Sequence, residues 1–244
     1  MRKPGSREFA RAAGIALIIS YALVASGTKV LAEEIAVIGT GMVSGALGPR
    51  FAEIGHDVVY GSRNPARDGV KKLVARTGHG ATVTTPAEAA AGADIVVLAV
   101  PGEVVAAVTK GLGDLTGKII IDPTNALTRG EDGLFEMAVA TSNAELIQGL
   151  APDAYVVKAF NTLNWQQMVD PESAGGPISI PLVGDNVEAK AAVATLVEGL
   201  GLEPIDVGPL RYAHVVEGML ILYLNNRFVR GQPFDFHLRK VKTK

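Results

Sequence analysis

The spacing of apolar and polar positions changes character along the chain. Residues 12–28 form one uncharged run, AAGIALIISYALVASGT, preceded by Arg2, Lys3, Arg7 and Arg11 against a single acid, Glu8. From Glu34 onward the pattern becomes an alternation. EIAVIG (34–39), DVVY (57–60), DIVVLAV (94–100) and KIIID (118–122) are short, apolar and β-branched, which predicts strands buried on both faces. A further short strand is predicted at 81–85. Residues 42–54, 64–78, 86–91 and 103–112 predict helices. Gly55 stops the first of these, and Asn64-Pro65 starts the second as cap and first-turn residue. Strand–helix alternation at this rhythm requires parallel crossovers, so the predicted fold class is α/β, a doubly wound parallel sheet.

After Asn125 the rhythm loosens. A helix is predicted over 142–150, with Ser142 as cap and Glu145 three residues on. Strands are predicted at 155–160 (YVVKAF), 178–184 (ISIPLVG) and 203–207, and Pro181 marks the second of them as an edge or bulge. A helix follows over 187–200, and a long one over 211–229. The last carries the unbroken run Met219-Leu220-Ile221-Leu222-Tyr223-Leu224, which predicts burial in the core with part of the helix at a homodimer interface. The aromatic tail QPFDFHL (232–238) is expected to cover an edge. Three parts result: residues 1–32 as leader, 33–125 as the regular α/β domain, and 126–244 as a small, closely packed C-terminal α/β part.

Composition narrows the function classes. The 244 residues are 48% hydrophobic, enough for one sizeable core with a small appended part. With no cysteine, disulfide frameworks, thiolate nucleophiles, iron–sulfur clusters and cysteine zinc sites are excluded. A net charge of −2 gives no nucleic-acid footprint. The basic head, the apolar run and the small-x-small triplet Val30-Leu31-Ala32 read as a secretory signal, since a membrane span needs roughly 20 apolar residues. Use of the signal implies an exported or periplasmic protein. Retention of residues 12–28 implies a membrane contact, and a misassigned start implies a cytoplasmic protein.

The chemistry concentrates in two places. Gly39-Thr40-Gly41-Met42-Val43-Ser44 joins the first predicted strand to the first helix. There Gly39 permits a tight turn, Gly41 lets backbone approach a pyrophosphate, and the helix N-terminus offers free N–H groups, the arrangement of a Rossmann-like fold. Ser44 stands where a third glycine is usual. At the end of the second strand an NAD site would carry a carboxylate. This chain instead has Ser62 and Arg63, with Arg67 one turn on, which predicts charge-assisted binding of a 2′-phosphate and hence NADP(H). The strand ends at Val100-Pro101, Asn125 and Ala159-Phe160-Asn161-Thr162 would surround the nicotinamide. Val100 and Pro101 form an apolar floor there, and Asn125, Asn161 and Thr162 are polar groups able to hold a carboxamide or substrate. Lys158 is read as a surface lysine and Asp122 as a turn cap. His56, His79, His214 and His237 show no metal-ligand spacing, and no acid–base pair stands out.

Together, IAVIGTGMVSGALGPRFAEIGHDVVYGSRNPAR, LAVP, DPTN, VVKAFNTLN, VGDN and DVGPLRYAHVVEG resemble the NADPH-dependent reductases of coenzyme F-420, a deazaflavin. The resemblance implies that Thr40–Val43, Ser62, Arg63, Arg67, Val100, Pro101 and Val105 line an NADP site. It places the segment Ala159–Thr162 beside nicotinamide and deazaflavin, with coenzyme F-420 as co-substrate and a small-molecule redox acceptor as the partner. The implied function is hydride transfer between NADP(H) and a deazaflavin or flavin-like acceptor. Alternatives are a non-catalytic NADP-binding module, a ferric-reductase-like enzyme and an imino-acid (pyrroline-5-carboxylate) reductase-like enzyme. Resumption of strands after residue 177 argues against the last.

Overall fold

The computed structural model describes residues 33–241, so the signal or anchor expected over 1–32 lies outside the described residues. The first half follows the expected alternation: β1 (Glu34–Ile38), α1 (Met42–Glu53), β2 (Asp57–Gly61), α2 (Asp68–Thr77), β3 (Thr82–Thr84), α3 (Pro86–Gly92), β4 (Ile95–Leu98), α4 (Val105–Lys110) and β5 (Ile119–Asp122). The second half holds β6 (Leu127–Arg129), β7 (Phe135–Met137), α5 (Asn143–Leu150), β8 (Tyr155–Lys158), α6 (Trp165–Val169), β9 (Ser179–Val183), α7 (Val187–Gly199), β10 (Glu203–Gly208) and α8 (Ala213–Leu224). Eight strands form one sheet in the order β10-β9-β8-β5-β4-β1-β2-β3, which runs without a break across residues 125 and 126.

The six strands from β8 to β3 are parallel. Their apolar runs are explained by burial on both faces. Ile35 and Val37 pack with Leu47, Phe51 and Val193 on one side, while Ala36 and Ile38 pack with Ala90, Val105 and Ile147 on the other. The chain leaves β1 toward β2 and β3, then returns to β4 on its other side. That reversal opens a crevice beyond the carboxyl ends of β1 and β4.

The last two strands depart from the parallel pattern. β9 meets β8 antiparallel, at Lys158 and Val183 alone, and pairs along its length with β10. Pro181 is therefore tolerated in a fully buried strand, because the side toward β8 is nearly free of ladder bonds. The C-terminal tail takes part of that side: Ser179 N–H donates to Leu238 O at 2.8 Å.

Several expectations are corrected. Asn64 does not cap α2, which begins at Asp68 with Arg67 in the cap position. Instead Asn64 N–H donates to the Ser62 hydroxyl, and Asn64 O accepts from Arg67 N–H, so Asn-Pro forms a turn before the helix. The strand expected over 155–160 ends at Lys158, since Phe160 turns into the left-handed region at φ 65°. The β6–β7 hairpin and α6 were not expected. Their strands are three residues long, too short for a period-2 signal, and the hairpin is bracketed by the Asn225 side chain, which bonds both N and O of Phe135. The long helix at 211–229 is a 3₁₀ turn, α8 and a π-helical turn in series. It is not wholly buried: only Ala213, Val216 and Glu217 of α8 are buried, while Val215 and Leu222 are 63% and 58% exposed.

The contact of α1 with the sheet is close because Gly48 sits over Tyr60. A Cβ on Gly48 would collide with the Tyr60 ring and hydroxyl. Tyr60 cannot retreat, being wholly buried with its hydroxyl 2.7 Å from Thr77 Oγ1. Burial pushes the phenol's pKa up, against the opposing Thr77 hydrogen bond and Arg76 charge, and so holds it in the neutral form. Gly48→Ala is expected to destabilise the protein by about 1–3 kcal/mol through overpacking, measured by urea unfolding.

Candidate functional site

The crevice has two chemically different ends. At the first, β1 delivers the glycine turn. Gly39 has φ 114°, and a Cβ there would collide with Ala99 O, so this position requires glycine twice over. Gly41 is the N-cap residue of α1 but provides no side-chain cap, and no acid stands in the first turn. A Cβ on Gly41 would meet nothing within 4 Å, so open space lies over an uncapped helix start. Ser44 is buried, and its hydroxyl donates to Ala99 O at 3.4 Å, so a serine in the third position ties α1 to the end of β4.

The pairing of Ile38 with Gly61 sets the turn beside the end of β2. Ser62 is buried there, and Arg63 and Arg67 are exposed. Arg67 Nη2 donates to Thr40 Oγ1 at 3.0 Å, joining the two loops across the sheet. Gly39, Thr40, Gly41, Met42, Val43, Ser62, Arg63 and Arg67 thus surround one end of the crevice. The Met42 side chain is 67% exposed beside it.

The second end lies beyond β4, β5 and β8. Val100 is half-buried and Pro101 exposed. Gly102 lets the loops after β4 and β5 touch, because a Cβ there would collide with Asn125 O. Asn161 Nδ2 donates to Asn125 Oδ1 at 3.0 Å and to Val216 O at 3.1 Å. Asn161 Oδ1 is buried and has no hydrogen-bond partner. Thr162 is buried at the rim. Two expected residues are placed otherwise: the Val105 and Ala159 side chains are wholly buried in the two cores, so neither presents a side chain to the crevice. Their apolar side chains gain more from the sheet faces than from the crevice.

Beneath this end lies a charged cluster that the sequence reading missed. Lys158 is not on the surface. Its Nζ is 2.6 Å from Asp122 Oδ2, 2.6 Å from Glu217 Oε1 and 2.5 Å from Thr124 O, with all three charged side chains inaccessible. Asp122 also accepts from Thr124 N–H at 2.8 Å, the turn-capping bond expected of it. Glu217 accepts from the backbone N–H groups of Ala126 at 2.8 Å, Asn143 at 3.2 Å and Ala144 at 3.4 Å. The only signal for this role is an isolated acid within the apolar run Val215–Leu224, a position that demands a partner if buried.

Residues 34–126 match the family of NADP oxidoreductases that are coenzyme F420-dependent. The F420-dependent NADP reductase of Methanothermobacter thermautotrophicus is 28% identical over 214 residues, covering 81% of this chain and 90% of that protein. A crystal structure from Arthrobacter sp. FB24, provisionally named an F420-dependent NADP-reductase, superposes with a TM-score of 0.77 at 33% identity, over 85% of this chain and 100% of the other. The rat metalloreductase STEAP3 is 30% identical over 77% of this chain, which spans only 36% of that longer protein. An imine reductase from Pseudomonas sp. shares the fold at 16% identity and a TM-score of 0.58. Among the described residues no helix is long and apolar enough to cross a membrane.

The triad gives a stability prediction. Lys158→Met removes the cation that lies between two buried carboxylates and is expected to cost about 3–5 kcal/mol. Denaturant unfolding at neutral pH measures the loss.

Proposed function

Because the chain belongs to the family of coenzyme F420-dependent NADP oxidoreductases, we propose that it is an NADPH-dependent reductase that passes hydride to a deazaflavin or flavin-like acceptor at the Val100–Asn125–Asn161 end of the crevice. The observation that carries the reading is Arg67 reaching across to Thr40, with Ser62 and Arg63 beside it, where a carboxylate would repel a 2′-phosphate. The open space over Gly41 and the uncapped start of α1 suit a pyrophosphate.

In this reading Gly39 to Val43 hold the pyrophosphate through backbone N–H groups. Ser62, Arg63 and Arg67 hold the 2′-phosphate. Val100 and Pro101 give the nicotinamide an apolar floor, and Asn125, Asn161 and Thr162 bind its carboxamide. Bound NADPH supplies the hydride. The protein's own contribution is to hold two planar carriers face to face and keep water out, since hydride transfer between such carriers needs little acid–base help. A second acceptor class, a ferric complex, is favoured by the 30% identity to a metalloreductase over most of this chain.

The direct test mixes purified protein with NADPH and coenzyme F-420, FMN or ferric citrate in turn. Protein-dependent loss of the deazaflavin absorbance, much slower with NADH, supports the reading. Binding of NADPH without oxidation by any of the three overturns it in favour of a nucleotide-binding module. Arg63→Ala is expected to reduce the preference for NADPH over NADH about tenfold or more, the size of one charge-assisted hydrogen bond. Gly41→Val is expected to abolish NADPH binding while costing no more than about 1 kcal/mol of stability, the difference between glycine and valine at a helix N-cap. Its backbone is extended at φ −90°, ψ −159°, which a β-branched residue adopts, and its side chain would occupy otherwise open space.

A further inference from the structure

We propose that Glu217 is a positioning residue for the nicotinamide end of the site, acting through the loops after β4, β5 and β8 and not by touching the cofactor; this rests on the NADPH reading above. Three strands that end at the crevice need their loops held in one arrangement, and one carboxylate connects most of them. Glu217 Oε1 pairs with Lys158 at the end of β8. Its Oε2 accepts from Ala126 N–H in the loop after β5 and from Asn143 N–H at the start of α5. Asn143 in turn passes the constraint on: its Nδ2 donates to Thr124 Oγ1 at 2.9 Å and to Gly102 O at 3.4 Å, in the loops after β5 and β4.

The same turn of α8 decides which way the Asn161 amide faces. Val216 O, next to Glu217, can only accept a hydrogen bond, so the Asn161 atom beside it must be Nδ2. That leaves Asn161 Oδ1 as a buried acceptor without a donor. Both donors of the amide are thus committed, one to Asn125 Oδ1 and one to Val216 O, which ties the loop after β8 to the loop after β5 and to the turn that carries Glu217. Through Lys158, Ala126 and Asn143, Glu217 holds the loops after β8, β5 and β4, which border the nicotinamide half of the proposed site. The phosphate half, built from the glycine turn, Ser62, Arg63 and Arg67, lies on β1 and β2 and takes no bond from the network.

Glu217→Gln separates these roles. A glutamine has the same shape and leaves Lys158 paired with Asp122. It presents one acceptor atom in place of two and sets an NH₂ against donors, so Ala126 and Asn143 or Lys158 lose a partner. Affinities are measured for NADPH, by its nicotinamide fluorescence, and for 2′,5′-ADP, which lacks the nicotinamide, by calorimetry. The expected result is that NADPH binding weakens about tenfold while 2′,5′-ADP binding changes by less than about twofold, the first being the size of one lost hydrogen bond.

Equal weakening of both ligands would show general damage to the fold and overturn the proposal, as would no change in either. Asn143→Ala removes the ties to Thr124 and Gly102 without touching the triad. It is expected to give the same split, so a Glu217→Gln protein that fails to fold still leaves a decisive measurement. Wild-type protein that binds 2′,5′-ADP and NADPH equally well overturns this inference alone. Wild-type protein that binds neither overturns the cofactor reading along with it.

Discussion

A lysine ammonium buried between two carboxylates holds the C-terminal half of this protein to the N-terminal half. Lys158 on β8 reaches Asp122 on β5 and Glu217 on α8, with none of the three accessible to water. Such a cluster is stable only if every donor and acceptor is met, because each ion loses its hydration on burial. Here the count closes. Lys158 also bonds Thr124 O, Asp122 accepts a backbone N–H, and Glu217 accepts three more. With both acids ionised the triad carries net negative charge. The start of α5 offsets it, because two of the N–H groups that bond Glu217 come from that helix's first turn.

The two ends of the crevice use different physics. The glycine-turn end is built locally. A glycine turn, an uncapped helix start and two arginines from one loop suffice, and β1 and β2 bring them together simply by pairing in parallel. The opposite end is built from distant pieces: Gly102, Thr124–Ala126, Asn143, Asn161 and the Val216-Glu217 turn meet only because the sheet and α8 place them side by side. Such an arrangement depends on long-range bonds throughout. In the proposed function this is the more demanding end, since hydride transfer tolerates little error in the placement of two rings.

The last helix shows a division of labour between its faces. Ala213, Val216 and Glu217 turn inward, while Val215 and Leu222 stay largely exposed. Its continuous apolar run reads in sequence as a core helix, yet among the described residues it packs mainly against α5 and the β7 strand along one face. What fixes its orientation is the one charged residue in the run, because burying Glu217 without its partners would cost more than burying any of the leucines gains.

The sequence by itself determined the parallel sheet and the glycine turn, and it placed Ser62, Arg63 and Arg67 just after β2, because each of these is a local pattern. Buried strands need continuous β-branched runs, a dinucleotide turn needs glycine at fixed spacing, and a 2′-phosphate needs cations where a carboxylate would otherwise stand. Adjacent residues carry all the information. The tertiary structure alone decided that Lys158 is buried, that Glu217 is buried against it, that Val105 and Ala159 face the cores, and that Asn161 leaves one acceptor unpaired. These outcomes depend on which residues tens of positions apart share a hydrogen bond. Lys158 reads as a surface residue from its own type, since an isolated buried ammonium is prohibitively costly. It becomes a core residue only when Asp122 and Glu217 arrive from 36 positions upstream and from a helix at the far end of the chain.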